Sequence, residues 1–109
     1  MTELFEELAS LDKLIHEPAR LAILTALSAC ENADFLFLMR LTGLSKGNLS
    51  SHLSKLEKAK LVEIEKQFIG KKPNTVVALT ENGRIAINKH WQALNNLRNG
   101  AQSWQPEDE

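Results

Sequence analysis

The hydrophobic period of this chain changes after Leu61, and that change limits the folds open to it. Before it, leucines recur at helical spacing. In "GLSKGNLSSHLSKLEKAKLV", Leu49, Leu53 and Leu56 fall within a narrow arc at about 100° per residue. After it, "VEIEKQFI" alternates apolar and polar residues with period two, the pattern of a half-buried strand. "GKKPN" supplies turn chemistry in Gly70, Pro73 and Asn74, and the β-branched "TVVAL" reads as a returning strand. A hairpin with a lysine-rich tip therefore follows directly on a helix.

The flanking segments are helical. Thr2 is placed to cap a first helix whose opening turn holds Glu3, Glu6 and Glu7, and whose apolar stripe runs Leu4, Leu8, Leu11 and Ile15. Pro18 suits the first turn of a second helix, and Leu21, Ile23, Leu24 and Leu27 predict that "ARLAILTALSAC" is mostly buried. "ENAD" reads as a polar turn, "FLFLMRLTGL" as a short apolar helix stopped by Gly43, and Ser45 as the cap of the next. Thr80 caps a last long helix, "ENGRIAINKHWQALNNLRN", that Gly100 is expected to end. The order is helix, helix, helix, turn, helix, hairpin, helix. A mainly α chain with a β-hairpin wing is expected, laid out as a winged helix-turn-helix.

At 109 residues the chain is sized for one domain with a modest core. It has 43% hydrophobic and 25% charged residues, which is ordinary globular composition. No run approaches the roughly 18 apolar residues of a membrane span, and no signal segment is visible, so a cytoplasmic protein with no membrane partner is expected. Cys30 alone excludes an internal disulfide framework and reads as an inert thiol. The net charge of −1 conceals a dipole. Residues 1–35 carry seven acids against two bases, while residues 46–72 carry seven lysines against three glutamates. Local potential, not the total, decides where a polyanion lands.

Opposite the leucine arc of the central helix lie Gly47, Asn48, Ser51, Ser54, Lys55 and Lys58, with Lys46 near the N-terminal end. These types suit a helix in a DNA major groove. Small side chains allow close approach, Asn pairs bidentately with adenine, Ser donates to bases or phosphates, and Lys neutralises phosphate. In the wing, Lys71 and Lys72 stand between Gly70 and Pro73, with Lys66 behind them on the strand, fit to enter a minor groove or lie along phosphates. A lysine-bearing helix alone is usually just a solvated face. The conjunction of helix and hairpin, in this order and with the acids displaced to the ends, favours DNA.

"PARLAILTAL" together with "LTGLSKGNLSSHLSKLEKAKLVEIEKQFIGKKPNTVVALTENGR" resembles the winged-helix transcriptional regulators of the MarR/ArsR-like group over about residues 16–90. The likeness is strongest in "LTGLS", "GNL", "HL", the "GKKP" wing and the "LTENGR" helix start. It implies that Ser45 to Lys58 is the recognition helix and Gly70 to Thr75 the wing tip. It also implies that His52 is a packing or phosphate residue, and that the chain is a homodimer on a near-palindromic operator. The chain departs from the pattern at "KAKLV", where Lys60 and Leu61 replace a glycine followed by an aromatic. Metal-sensing relatives carry paired cysteines. Cys30 with the scattered His16, His52 and His90 does not rebuild that site, so no metal and no cofactor are expected.

A small reader of DNA needs two half-sites. The dimer interface is expected from Leu4, Leu8 and Leu11 of the first helix with Ile87, Trp91 and Leu94 of the last. The chain then divides into an N-terminal dimerisation helix (1–15), a winged core (16–80), a C-terminal dimerisation helix (81–100) and an acidic tail (101–109). A small-molecule effector pocket would fall between the dimer helices and the core, with no residue cluster to identify its ligand. Two rivals stand beside a repressor-type regulator. A winged-helix protein-interaction module would lack the basic face. An enzyme would need a phosphate-binding glycine loop, HExxH, CxxC or a nucleophile elbow, none of which is present.

Overall fold

Eight elements follow one another in the computed structural model, which describes residues 3–106. They are α1 (Glu3–Ala9), α2 (Pro18–Ser28), β1 (Ala33–Asp34), α3 (Phe35–Thr42), α4 (Lys46–Lys58), β2 (Val62–Ile69), β3 (Lys72–Leu79) and α5 (Glu81–Gln102). Capping by Thr2, and the last three residues of the acidic tail, lie outside the described residues.

The helix starts are set by side chains that satisfy free backbone N–H groups. The Glu17 carboxylate accepts from Ala19 and Arg20 at 3.2 and 3.0 Å, with Pro18 at the first position of α2. Asp34, Ser45 and Thr80 do the same for α3, α4 and α5, accepting from Phe37, Asn48 and Gly83 at 2.7, 3.1 and 2.9 Å. Ile23, Leu24 and Leu27 of α2 are fully buried. Around them close Leu38 of α3, Leu49, Leu53 and Leu56 of α4, Val62 and Val77 of the sheet, and Ile87 of α5.

Four sequence expectations are corrected. The first helix stops at Ala9 and does not run to Ile15. The Asp12 carboxylate accepts from Leu14 N–H at 2.8 Å, its carbonyl accepts from His16 N–H at 2.7 Å, and Arg20 donates to the Leu14 and Lys13 carbonyls. That knot turns Ile15 into the winged core, where it is 5% exposed. "ENAD" is a turn only in its first half, because Ala33 and Asp34 pair with Val77 and Val76, making a three-stranded sheet of order β1-β3-β2. The wing turn is confined to Gly70 and Lys71, since Ile69 already pairs with Lys72 and Phe68 with Pro73. In a hairpin closed so tightly, Pro73 falls at a pair that exchanges no ladder bonds, so its missing N–H costs nothing. Finally, α5 continues through Gly100 to Gln102. The glycine makes room for Leu4 of α1, whose methyl would lie 3.0 Å from a Cβ there.

The corner between α4 and β2 is held by Lys60, which takes a left-handed backbone at φ 63°. Its carbonyl accepts from the Thr80 hydroxyl at 2.7 Å, and the Leu61 carbonyl accepts from Thr80 N–H at 3.1 Å. Gly83 lies so close to this corner that an added methyl would overlap the Leu61 carbonyl oxygen. The start of α5 is thereby fixed to the base of the wing. Beyond it the molecule is drawn out to 66 × 25 × 21 Å with a radius of gyration of 17.0 Å. A compact chain of this length would have about 13 Å.

Candidate nucleic-acid interface

The turn between α3 and α4 is built from its own residues. Gly43 closes α3 in the left-handed region at φ 70°, its N–H bonded to the Met39 carbonyl at 2.9 Å. The Thr42 hydroxyl donates to the Leu38 carbonyl and accepts from Leu44 N–H. These bonds hold α4 so that Leu49, Leu53 and Leu56 enter the core, while Lys46, Gly47, Asn48, Ser50, Ser51, Ser54, Lys55 and Lys58 remain exposed. No acid occupies the first turn of α4, and nothing stands within 4 Å of a Cβ at Gly47. The free N–H groups there are open to an anion such as phosphate.

Helix and hairpin meet in a cleft of about 400 Å³ lined by Phe35, Lys46, Ser50, Leu53, Ser54, Ile64, Lys66 and Thr75. Lys46 from the helix and Lys66 and Thr75 from the strands therefore share one surface. Ser50 belongs to this group although it lies outside the face opposite the leucine arc. At about 100° per residue it sits on the flank of α4, beside the leucine arc, and only the placement of the hairpin shows that this flank is lined.

Strand alternation sorts the wing residues into two sets. Lys66, Phe68, Pro73 and Thr75 lie on the face that Val62, Ile64 and Val77 turn to the core, while Gln67, Ile69, Lys72 and Asn74 lie on the other. Asn74 accordingly lines a separate cleft with Asp34, Phe37, Arg40 and Gln67. Gly70 is left-handed at φ 66° and Lys71 beside it is exposed at the extreme tip. Period two in "VEIEKQFI" predicts a half-buried strand, but only Val62 and Ile64 are covered. Phe68 and Ile69 are 73% and 70% exposed, because the hairpin outruns the core.

His52 lies on the flank of α4 toward α2, half-buried. Arg20 Nη1 donates to its Nδ1 at 3.1 Å, and the Glu17 carboxylate stands 3.5 Å from the same nitrogen. Accepting from Arg20 fixes the neutral tautomer with its proton on Nε2, on the ring's far side. Partial burial opposes charge on Glu17. The N–H groups of Arg20 and Ala19, with the Arg20 guanidinium beside them, together outweigh it, holding the carboxyl below its ordinary value.

The residues expected at a dimer interface are spread over the α1–α5 arm. Leu4 is half-buried against Gly100, Leu11 and Leu94 are half-buried, and Leu8 is 47% exposed. Trp91 is 39% exposed, its indole N–H donating to the Thr25 hydroxyl at 2.9 Å. Ile87 is a correction. It is fully buried in the winged core and has no surface to offer a partner, because α5 crosses α2 at that turn. Phe5 of α1 meets Trp104 edge to face at 5.3 Å, which ties the start of the tail to α1. Cys30, just past α2, is half-buried and free. Among the described residues no group of three or more His, Cys, Asp or Glu could hold a metal ion, and no helix is long and apolar enough to cross a membrane.

Residues 19–97, from α2 through most of α5, match the family described as the winged helix DNA-binding domain. The chain belongs to that family. An uncharacterized protein of Methanocaldococcus jannaschii is 33% identical to this winged-helix chain over 78 residues, 72% of the chain and 85% of the relative. A transcriptional regulator homologue of Pyrococcus horikoshii superimposes with a TM-score of 0.82 at 29% identity, covering 91% of this chain and 97% of that one. A MarR-family transcriptional regulator of Silicibacter pomeroyi shares the fold, with a TM-score of 0.66 at 22% identity over 97% of this chain and 69% of its own. The α3–turn–α4 unit and the β2–β3 hairpin are thus the helix-turn-helix and the wing of a winged-helix DNA-binding domain.

Proposed function

We propose that this winged-helix chain is a sequence-specific transcriptional regulator. As a homodimer on a near-palindromic operator it acts as a repressor, since occluding a promoter requires nothing beyond binding DNA. In this reading α4 lies in the major groove, with Asn48, Ser51 and Ser54 toward base edges and Lys46, Lys55 and Lys58 toward phosphates. Lys66, Lys71 and Lys72 carry the wing along the neighbouring backbone. One observation carries the reading: Lys46, Ser50 and Ser54 of the helix line a common cleft with Lys66 and Thr75 of the wing.

Two features support the homodimer. The molecule is far more drawn out than its length requires, and the α1–α5 arm leaves Phe5, Leu8 and Trp91 only partly covered. Operators of winged-helix dimers mirror the two-fold symmetry of the protein.

Selection of bound duplexes from a random pool tests the whole reading at once. The expected product is an inverted repeat, bound with log affinity falling against log salt at about −0.9 per neutralised phosphate. Absence of duplex binding at low salt would overturn the reading. It would favour a protein-interaction module instead, for which Leu36 and Leu41 of α3, 62% and 53% exposed, offer the apolar contact.

A further inference from the structure

The wing carries an aromatic ring, Phe68, that the described residues leave 73% exposed. Along the face that β2 turns toward α4, Val62 is buried, Ile64 half-buried, Lys66 exposed, and Phe68 73% exposed. Phe68 stands four extended steps beyond Ile64, so the ring is carried about 13 Å past the edge of the core. It is held there stiffly. Pairing continues to Ile69 and Lys72, the turn is reduced to Gly70 and Lys71, and Pro73 stands directly across from Phe68. That pair exchanges no ladder bonds and brings its side chains closest together.

Exposed aromatics on a strand end favour aggregation unless they have an occupant to meet. Here the surroundings name its chemistry. Lys66 lies two residues back on the same face, Lys71 sits in the turn, and the acids of β2, Glu63 and Glu65, alternate onto the opposite face. An apolar ring framed by cations on the side of the recognition helix is complementary to a polyanion with an apolar interior. Stacked bases between phosphates are such a partner.

We propose that Phe68 is a wedge that enters a base step in the minor groove and kinks the duplex, while Lys66 and Lys71 hold the flanking phosphates. The proposal rests on the DNA-binding reading above and adds a source of specificity to it. Unstacking is easiest at pyrimidine–purine steps. The wing therefore selects a deformable step at a fixed distance from the bases under α4, without a hydrogen bond to any base.

Bending of short end-labelled duplexes by the intact chain, read as energy transfer between the two ends, tests this. The duplexes differ only in whether flexible TpA or stiff ApA steps flank the inverted repeat recovered by selection, and one arm uses random-sequence duplex. The intact chain is expected to bend the TpA set by about 20–90° and to prefer it. Phe68→Ala is expected to keep the salt slope, lose the bend and the TpA preference, and bind about tenfold more weakly. Phe68→Leu restores the bend, and Ile69→Ala, exposed on the opposite face, leaves it unchanged. Because Phe68 is 73% exposed at the far end of the wing, the melting temperature of Phe68→Ala should match that of the intact chain. Equal bending by the intact chain and Phe68→Ala overturns the wedge and leaves the DNA-binding reading standing. It would assign the ring to a protein partner. Failure of every duplex to bind overturns both.

Discussion

The winged core and the α1–α5 arm are built from the same residue types and end differently. In the core, every large apolar side chain on the inner faces of α2 and α4 finds its cover within the chain, and Ile23, Leu24, Leu27, Leu49 and Leu56 are fully buried. Among the described residues of the arm, only Leu97 and His90 are buried beyond Ile87, while Phe5, Leu8, Ile85 and Trp91 stay substantially exposed. The core closes the inner faces of α2 and α4 by its own sequence and leaves apolar surface only on α3, at Leu36, Phe37 and Leu41, and on the wing, at Phe68 and Ile69. The arm has apolar surface left over, as an element does when a second molecule completes it.

The largest expected effects separate the two regions on α5 itself. Ile87→Ala should destabilise the chain by about 2–5 kcal/mol at any protein concentration, since it empties a site enclosed by one subunit. Trp91→Ala, one turn further on, should behave otherwise. Its effect should appear as a dimer dissociation constant raised about thirtyfold or more, with the melting temperature losing its dependence on concentration. Denaturant melts at several concentrations, with sedimentation of the same samples, check both. If Trp91→Ala lowered stability equally at all concentrations, the arm would be a closed part of the monomer and the contrast would fail.

A smaller effect is expected at the joint between the regions. His16, in the segment between α1 and α2, and His90 of α5 share a hydrogen bond of 3.1 Å between Nδ1 and Nε2, one ring donating to the other. Burial of His90 and the nearby His16 ring lower its pKa below the ordinary 6.5, and Asp12 opposes them only in part. A histidine held below its unfolded value stabilises the fold while neutral. That contribution is present above about pH 6.5 and is lost as pH falls through the folded value. Glu17 follows at lower pH, because its depressed carboxyl value makes its contribution disappear only below about 4.5. His90→Gln should remove the upper of these two steps from a stability–pH profile and leave the lower one. A profile unchanged by the substitution would mean that the pair does not couple arm to core.

How far these regions were legible in the sequence follows the same division. Leu49, Leu53 and Leu56 showed the buried face of α4 because a helix with one covered face must place its leucines about 100° apart per residue. Ser45 and Thr80 were readable as caps because their oxygens bond locally. What escaped depended on distant partners. Nothing in "ENAD" indicates that Ala33 and Asp34 find Val77 and Val76 more than forty residues away. The stripe Leu4, Leu8, Leu11, Ile15 had good helical spacing. The Asp12 and Arg20 hydrogen bonds nevertheless broke it and sent Ile15 to the core. Ile87 and Trp91 are four residues apart, so periodicity put them on one face, although one is enclosed and the other is 39% exposed. On the candidate surface, the lysines and serines could be found from residue type. Ser50 and Phe68 could not, since what singles them out is the position of the hairpin relative to α4 and to the edge of the core.

The smallest expected effect concerns the corner that joins α4 to the wing. A non-glycine residue in the left-handed region costs about 1–2 kcal/mol, and Lys60 bears that cost at φ 63°. The conformation persists because the corner is determined from three sides: Leu61 N–H reaches the Leu56 carbonyl, Thr80 binds both corner carbonyls, and Gly83 presses on Leu61. Lys60→Gly removes the strain but gives the unfolded chain more freedom, which offsets about 0.5–1 kcal/mol. A net gain of about 0.5–1 kcal/mol is therefore expected, read as a higher denaturant midpoint with an unchanged slope. The outcome also sharpens the contrast between the regions. Lys60 is exposed and adjoins the winged core, so the gain should be the same in a Trp91→Ala background. A gain that vanished there would show that the corner is tightened by the arm, and that the core does not close alone.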